Sequence, residues 1–475
     1  MRTTGPWLLG TFLGCTAPGA GPDGDDTDTV ADTETADTGT PDTGRDGPPN
    51  LLVVLLDDVG LDQVRIFGWP DAPELPTLEA LAAEGVSFDR AFTAPTCSPS
   101  RALLLTGRYG RRTGIGRTVV AKEEVPGLPR DEVGIASVLA AAPTPYATAA
   151  VGKWHLSTFT EPDGLSHPAA LGFDRWSIAM GNLGGETATG EATQGYLQWE
   201  RDRDGTLEVV DGYATSVQVD DALAMSAELP EPWFVWLAFS APHAPFHPPP
   251  TELQDDTPVG LFAPPRAKYR AMLQAADTEL GRLLDGLGPQ RARTTVVVIG
   301  DNGTPGDVVR RPLDPLRAKD SLYDLGTRVP IVVAGPGVPG RGVAHGLVHA
   351  VDLFPTLAAL GGAVAGEGPW PAVLDGTSFA PLLEDPALPA RELIYTERFA
   401  PNGRALTTRN DDARAVRDAS WRLIRDADGD HLFAVGDDDL DDGPDLLADA
   451  PDADALAAAA RLGAALDGLE GELGP

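Results

Sequence analysis

One cysteine stands at the head of the segment Thr96-Cys97-Ser98-Pro99-Ser100-Arg101, which runs on to Leu105-Thr106-Gly107-Arg108. Pro99 suits the first turn of a helix and Gly107 its end, so residues 98–107 are expected to be helical, with Cys97 at the N-terminus. There the helix dipole and free N–H groups favour a thiolate, and Arg101 adds positive charge one turn on. The pattern predicts a nucleophile rather than a buried structural thiol. Four more groups of ionisable or metal-binding type directly follow apolar runs. They are Asp57-Asp58 after residues 51–56, Lys153 and His155 after 147–152, His243 after 233–240, and Asp301-Asn302 after 294–300. A single Asp-Asp after such a run is ordinarily a solvated turn; four such ends in one chain call for another explanation.

The elements that carry these residues read as strands alternating with helices. Continuous apolar runs at 51–56, 147–152, 233–239, 294–300 and 329–334 suit strands buried on both faces, and residues 86–92 alternate like a strand. Helical patterns lie between them, at 77–85, 98–107, 131–141 and 266–287. The order predicts an α/β fold: a large, mostly parallel sheet sandwiched by helices. Ligands of such sheets bind beyond the carboxyl ends of the strands, which is where all four groups fall. From residue 391 the chain resembles a small antiparallel α+β subdomain of known proteins, closing with an Ala-rich helix at 454–469.

Composition narrows the setting. With 71 acidic and 36 basic residues among 475, the net charge is −35, which argues against nucleic acid, where binding neutralises phosphates. No apolar stretch approaches the roughly 20 residues of a membrane-spanning helix. Two cysteines, Cys15 and Cys97, do not make a disulfide framework. Residues 1–20 read as an export leader in which Arg2 and a short apolar stretch precede Leu13-Gly14-Cys15, similar to a bacterial lipoprotein cleavage site. Residues 21–49, rich in Asp, Thr, Gly and Pro, read as a disordered acidic tether. The organisation expected is leader 1–20, tether 21–49, catalytic domain 50–390 and C-terminal subdomain 391–475, exported to a bacterial periplasm or cell surface and held to the membrane only by a lipid on Cys15.

Cys97-Ser98-Pro99-Ser100-Arg101 matches the C-x-P-S-R signature, and Thr106-Gly107-Arg108 its extension; with them, residues 50–445 resemble the sulfatase family of the alkaline-phosphatase superfamily. The resemblance implies that a maturation enzyme oxidises Cys97 to formylglycine. It implies that Asp57, Asp58, Asp301 and Asn302, together with residue 97, hold a divalent metal, calcium in preference to magnesium. Arg101, Lys153, His155, His243 and Lys319 match the active-site cations and proton carriers, and residues 319–330 resemble the family's lysine segment, with Asp324 where Glu is usual. The chemistry implied is hydrolysis of an aryl or carbohydrate sulfate ester. One hydroxyl of the hydrated aldehyde attacks sulfur; a base such as His155 deprotonates the second, which expels sulfate; His243, beside Lys319, protonates the leaving alcohol. The chain has four lysines, Lys122, Lys153, Lys268 and Lys319, so two of them fall in matched positions.

Two rivals share these residues: a phosphonate monoester or phosphodiester hydrolase on the same site, and a non-catalytic surface binding protein whose Cys97 is never converted. Intact proton carriers argue against the second. The loops 162–211 and 303–316 are expected to line the substrate pocket. The Asn302-Gly303-Thr304 sequon is discounted, residues 426–430 read as a hairpin turn, and the acidic run 437–445 as a solvated loop. His247 reads equally as reaching the site or as edging it, while His167, His345, His349 and His431 read as structural.

Overall fold

Residues 50–56 are all buried, and alternate side chains enter opposite cores. Leu51, Val53 and Leu55 pack on one face of a sheet, Leu52, Val54 and Leu56 on the other, as a strand covered on both sides requires. The structure, a computed structural model, describes residues 47–121, 125–184, 187–188, 193–254, 258–404, 410–436 and 440–473. The expected leader, Cys15 and nearly all of the expected tether lie outside these residues.

The main sheet has eleven strands: β1 (Asn50–Leu56), β2 (Val86–Phe92), β3 (Ala147–Lys153), β4 (Arg175–Ala179), β5 (Gln198–Arg203), β6 (Thr206–Asp211), β7 (Trp233–Ala238), β8 (Thr294–Gly300), β9 (Arg328–Ala334), β10 (Gly342–Ala344) and β11 (Val348–His349). Their order is β10-β2-β9-β8-β1-β7-β3-β4-β5-β6, with β11 also on β2. The four strands picked from sequence are consecutive neighbours, β8-β1-β7-β3, and mutually parallel, so their polar ends share one edge. The strand at 329–334 differs from a purely parallel reading: β9 runs antiparallel between β2 and β8. That reversal brings the segment before β9, with Lys319, to the same edge as the ends of its neighbours. The second sheet, β12 (Ile394–Ala400), β13 (Asn410–Arg417), β14 (Trp421–Asp426) and β15 (Gly429–Ala434), is antiparallel in that order, and the helix Ala453–Leu473 packs on it. Both sheets are therefore as the fold-class reading has them. Asp426 pairs with Gly429 across a two-residue turn, so residues 426–430 form the expected hairpin.

Asp324 fastens the second sheet to the first. It is buried, and its carboxylate meets Arg422, Arg417 at 3.3 Å and Arg328 at 3.8 Å, while Asp442 holds Arg422 at 2.5 Å. The expectation that 437–445 is a solvated loop is thus corrected at Asp442: three arginines taken inside need more than one carboxylate, and Asp442 is buried to supply it. Residues 437–439 lie outside the described residues. Asp324→Ala, which strands those arginines, is expected to destabilise the chain by roughly 3–5 kcal/mol. Asp324→Glu keeps the charge and should cost far less. Urea midpoints of the two variants check this, and equal midpoints would refute it.

Candidate active site

Each residue of the cysteine motif has a task in the buried helix Cys97–Thr106. Ser98 Oγ donates to His155 O at 2.7 Å and accepts from Val119 N at 2.9 Å. Ser100 Oγ reaches Ala94 O and Thr96 O, at 3.1 and 3.0 Å, closing the turn that enters the helix. Gly107 ends it in the left-handed region, φ 66°, with its N–H on Leu103 O. Arg101 grips Asp301 Oδ2 from Nε at 3.1 Å and Nη2 at 2.8 Å, and donates to Lys153 O at 2.5 Å, tying the helix to the ends of β8 and β3.

The predicted residues converge on the Cys97 sulfur. Lys153 Nζ and Lys319 Nζ both lie 3.5 Å from Sγ, and Asp57 Oδ1 lies 3.4 Å away. Lys153 pairs with Asp57 at 2.5 Å, and Lys319 with Asp58 at 2.5 Å. Asn302 Nδ2 donates to Asp58 Oδ1 at 2.8 Å, and His243 Nε2 stands 3.8 Å from Asp58 Oδ2. Asp301 Oδ1 accepts from the Asp58 N–H at 3.0 Å. Asp58, His155 and Asp320 all have positive φ, at 69°, 62° and 72°, strained backbone of the kind that collects at functional sites. Gly152, φ 88°, lets β3 run past Ala238 O, where a Cβ would sit only 2.0 Å away; this sets the approach of Lys153.

The electrostatics correct one expectation. Burial, then the Asp301 and Asp57 carboxylates, push the Cys97 thiol far up, against the pull of Lys153 and Lys319. A plain thiolate is therefore not what this site favours. Burial would also raise Asp58, but Lys319, His243 and Lys153 hold its carboxyl well below the usual range, and burial of Lys319 is more than offset by Asp58, so that ammonium stays charged. Burial, and then Lys153, take His243 down to about 3; burial, Lys153 and Arg101 also hold His155 well below its ordinary value. His243 Nδ1 lies 2.7 Å from Ala244 O, which keeps the neutral ring's proton there and leaves Nε2 bare toward Asp58. His243, expected to protonate the leaving alcohol, is neutral here, and Lys319 beside it is the group that already carries the proton.

The donor set suits a divalent cation. Among the described residues, Asp57, Asp58, Cys97 and His243 each bring one ligand atom within 4.8 Å of the others. Beside them the buried Asn302 Oδ1 has no hydrogen-bond partner, an oxygen that a cation would satisfy. Asn302 is fully buried, so its sequon has no access for glycosylation.

Sequence reasoning missed Tyr196. Tyr196 OH contacts Ser240 O, and His243 O at 2.8 Å, pinning the loop that carries His243. The His247 ring lies tilted against Tyr196, centroids 4.4 Å apart, with its Nδ1 on Pro245 O, and so braces that loop. A tyrosine in an irregular segment carries no sequence signal for this. The other histidines are engaged elsewhere. His345 faces Asp89 at 2.7 Å, His431 lies between Asp445 and Asp426, and His349 caps a turn with Asp352. His167 accepts from Trp154 Nε1 at 3.1 Å and meets Leu128 O at 2.6 Å. Burial takes His167 down to about 4. Between about pH 6.5 and 4 the unfolded chain binds a proton that the folded chain refuses. Stability is therefore full above the unfolded pKa and falls with pH, by roughly 3 kcal/mol at pH 4 from this residue. Urea midpoints should drop between pH 7 and 4.5, with a shallower slope in His167→Gln. An unchanged slope in that variant would assign the acid sensitivity elsewhere.

The sulfatase family profile matches residues 49–363, the stretch that holds every residue of this centre. The chain belongs to the sulfatase family. Arylsulfatase A of Homo sapiens is 30% identical to it over 373 residues, covering 73% of this chain and 70% of that protein. N-acetylgalactosamine-6-sulfatase of Sus scrofa is 29% identical over 380 residues, 74% of this chain and 69% of that one. The crystal structure of Ps i-CgsB in complex with k-i-k-neocarrahexaose superposes with a TM-score of 0.67 at 26% identity, over 81% of this chain and 86% of that chain. A structure bound to D-glucosamine-2-N,6-O-disulfate, 19% identical, shares the fold with a TM-score of 0.68 over 90% and 98% of the two chains. Family and relatives together support sulfate-ester hydrolysis by this sulfatase.

Proposed function

We propose that this sulfatase hydrolyses the sulfate ester of a carbohydrate or aryl alcohol through a formylglycine made from Cys97, with one divalent cation, calcium in preference to magnesium. The observation that carries the reading is the Cys97 sulfur held 3.5 Å from both Lys153 and Lys319 Nζ beside Asp57. A thiol whose ionisation the site opposes is a poor nucleophile in its own right, whereas a hydrated aldehyde at this position supplies an oxygen nucleophile. Asp57, Asp58, Asp301 and Asn302 would hold the cation, which would supply positive charge against the sulfate oxygens. Lys153 and Lys319 place two ammonium groups at the reacting position, offsetting sulfate charge in a dry site. Neutral His155, buried with an unpartnered Nδ1, is able to accept a proton from residue 97. Lys319 donates to the leaving alcohol, and His243 serves after taking up a proton. The name of N-acetylgalactosamine-6-sulfatase and the oligosaccharide bound to Ps i-CgsB support a sugar sulfate as substrate, while that of arylsulfatase A keeps an aryl sulfate open.

The test compares kcat/KM for an aryl sulfate with the matching aryl phosphate and phosphonate esters. Preference for sulfate supports the reading. Preference for phosphonate or a phosphodiester would move the protein to that chemistry, and inertness toward all three would leave a binding protein. We also propose export, a periplasmic or cell-surface location and a lipid anchor on Cys15, supported by the leader, the Leu13-Gly14-Cys15 site and the acidic stretch that follows. Label from a fatty-acid analogue, lost in Cys15→Ala, checks the anchor.

A further inference from the structure

Two pockets reach the reaction centre, one at His155 and the other at Lys319, and Thr118 lines both. The His155 pocket, about 520 Å³, is lined by residues 118, 120–121, 155, 159, 179–184, 187, 193 and 199–200. Its walls include Val120, Phe159, Leu183 and Trp199, and its polar groups are threonine hydroxyls, the Asn182 amide and Glu200. Apart from His155, Glu200 is the one ionisable residue among its described lining. The Ala188 N–H donates to Glu200 Oε2 at 2.7 Å and so fixes that carboxylate in place. The Lys319 pocket, about 480 Å³, is built differently. Arg117 and Arg398 join Lys319 there, facing Asp320 and Asp411, and its apolar lining is confined to small groups such as Pro305 and Ala400. Arg398 is already bound to Asp320 O, and to Asp411 at 2.8 Å.

We infer that the alcohol half of the ester seats in the His155 pocket as a ring bearing no second anion, and that Glu200 enforces this. The inference deepens the proposed sulfatase reading and rests on it. A ring needs apolar walls against its C–H faces and a few convergent polar groups for its substituents, which the His155 pocket offers and the Lys319 pocket does not. The sulfate needs cations, which lie at Lys153 and Lys319. A fixed carboxylate accepts hydrogen bonds from ring hydroxyls or an ammonium, and repels a carboxylate or a second sulfate; this is selection by a repulsive element. The net charge of −35 acts in the same sense, against polyanions.

The test uses two isosteric phenyl sulfates, one with a para CH₂–COO⁻ group and one with para CH₂–CONH₂, where the methylene insulates the leaving oxygen. The ratio of their kcat/KM values, taken within each enzyme, cancels any general loss of activity or folding. The native enzyme should favour the amide by about tenfold or more, Glu200→Gln should narrow the ratio by about tenfold, and Asn182→Asp, which adds a carboxylate to the same pocket, should widen it. A native enzyme indifferent to the charge, or a ratio unmoved in Glu200→Gln, would overturn the inference while sulfate-ester cleavage stands. Cleavage of neither sulfate, with the matching phosphonates accepted, would overturn the underlying sulfatase reading and this inference with it.

Discussion

Cys97→Ala should abolish turnover, by a factor of at least about 10⁴, while the chain still folds. The substitution removes one sulfur from a buried position, a loss on the order of 1 kcal/mol, and leaves the motif's other bonds intact: Ser98 to His155 O, Ser100 to the turn, Arg101 to Asp301. The pairs Lys153–Asp57 and Lys319–Asp58 also survive, so the charges around the vacated position stay balanced. The discriminating variant is Cys97→Ser. If the thiol were the nucleophile, a hydroxyl in the same place should retain some activity; if the working group is an aldehyde made from cysteine, serine should be as inactive as alanine in a host that converts cysteine alone. Mass spectrometry of the tryptic peptide 91–101 from the active enzyme supplies the direct readout, with residue 97 carrying an aldehyde oxygen in place of the thiol sulfur. Full activity in a protein whose residue 97 is entirely a free thiol would reject the formylglycine proposal and leave family membership untouched.

The contrast between thiolate expectation and buried thiol shows what the sequence carries and where it stops. The ends of β1, β3, β7 and β8 were legible because an unbroken apolar run that halts at Asp57, Lys153, His243 or Asp301 marks both a two-faced strand and the edge where it stops. The position of Cys97 at a helix start was equally legible from Pro99 and Gly107. Its ionisation was not, because it depends on burial and then on Asp301 and Asp57, which arrive from other strands. The direction of β9 follows from pairing with β2 and β8, and no local pattern in residues 328–334 encodes it. Strands β4 and β5, which help to build the wall of the His155 pocket, are short, and β5 is largely polar, so they lack the periodicity by which a strand is recognised. The buried cluster of Asp324, Arg417, Arg422 and Asp442 is hidden for the same reason, since each of these residues taken alone reads as solvated surface.

Exhaustive removal of divalent metal should lower activity at least a hundredfold and also lower the melting temperature by several degrees, both restored by calcium. The thermal effect is the more telling because it does not pass through catalysis. A cation that binds only the folded chain stabilises it by about 4 kcal/mol at a thousand times its dissociation constant. Its departure leaves Asn302 Oδ1 buried without a partner, a cost of about 1–3 kcal/mol, and leaves Asp57 and Asp58 balanced by Lys153, Arg101 and Lys319. Asp58 is the residue on which to test this. Its carboxylate is held ionised, in spite of burial, by Lys319, His243 and Lys153, and it contacts Lys319, Asn302 and His243 together. Asp58→Asn keeps the shape and removes the charge. It should start from a lower melting temperature and respond little to chelator, because the cation it can lose is already weakly held. Asp62→Asn is the control: that buried carboxylate is bonded to Thr304 and Gln63 and lies outside the ligand group, so its chelator response should match the native protein. A native enzyme that keeps full activity and its melting temperature in chelator, with no metal by elemental analysis, would dismiss the cation. Equal chelator responses in native and Asp58→Asn proteins would place it elsewhere.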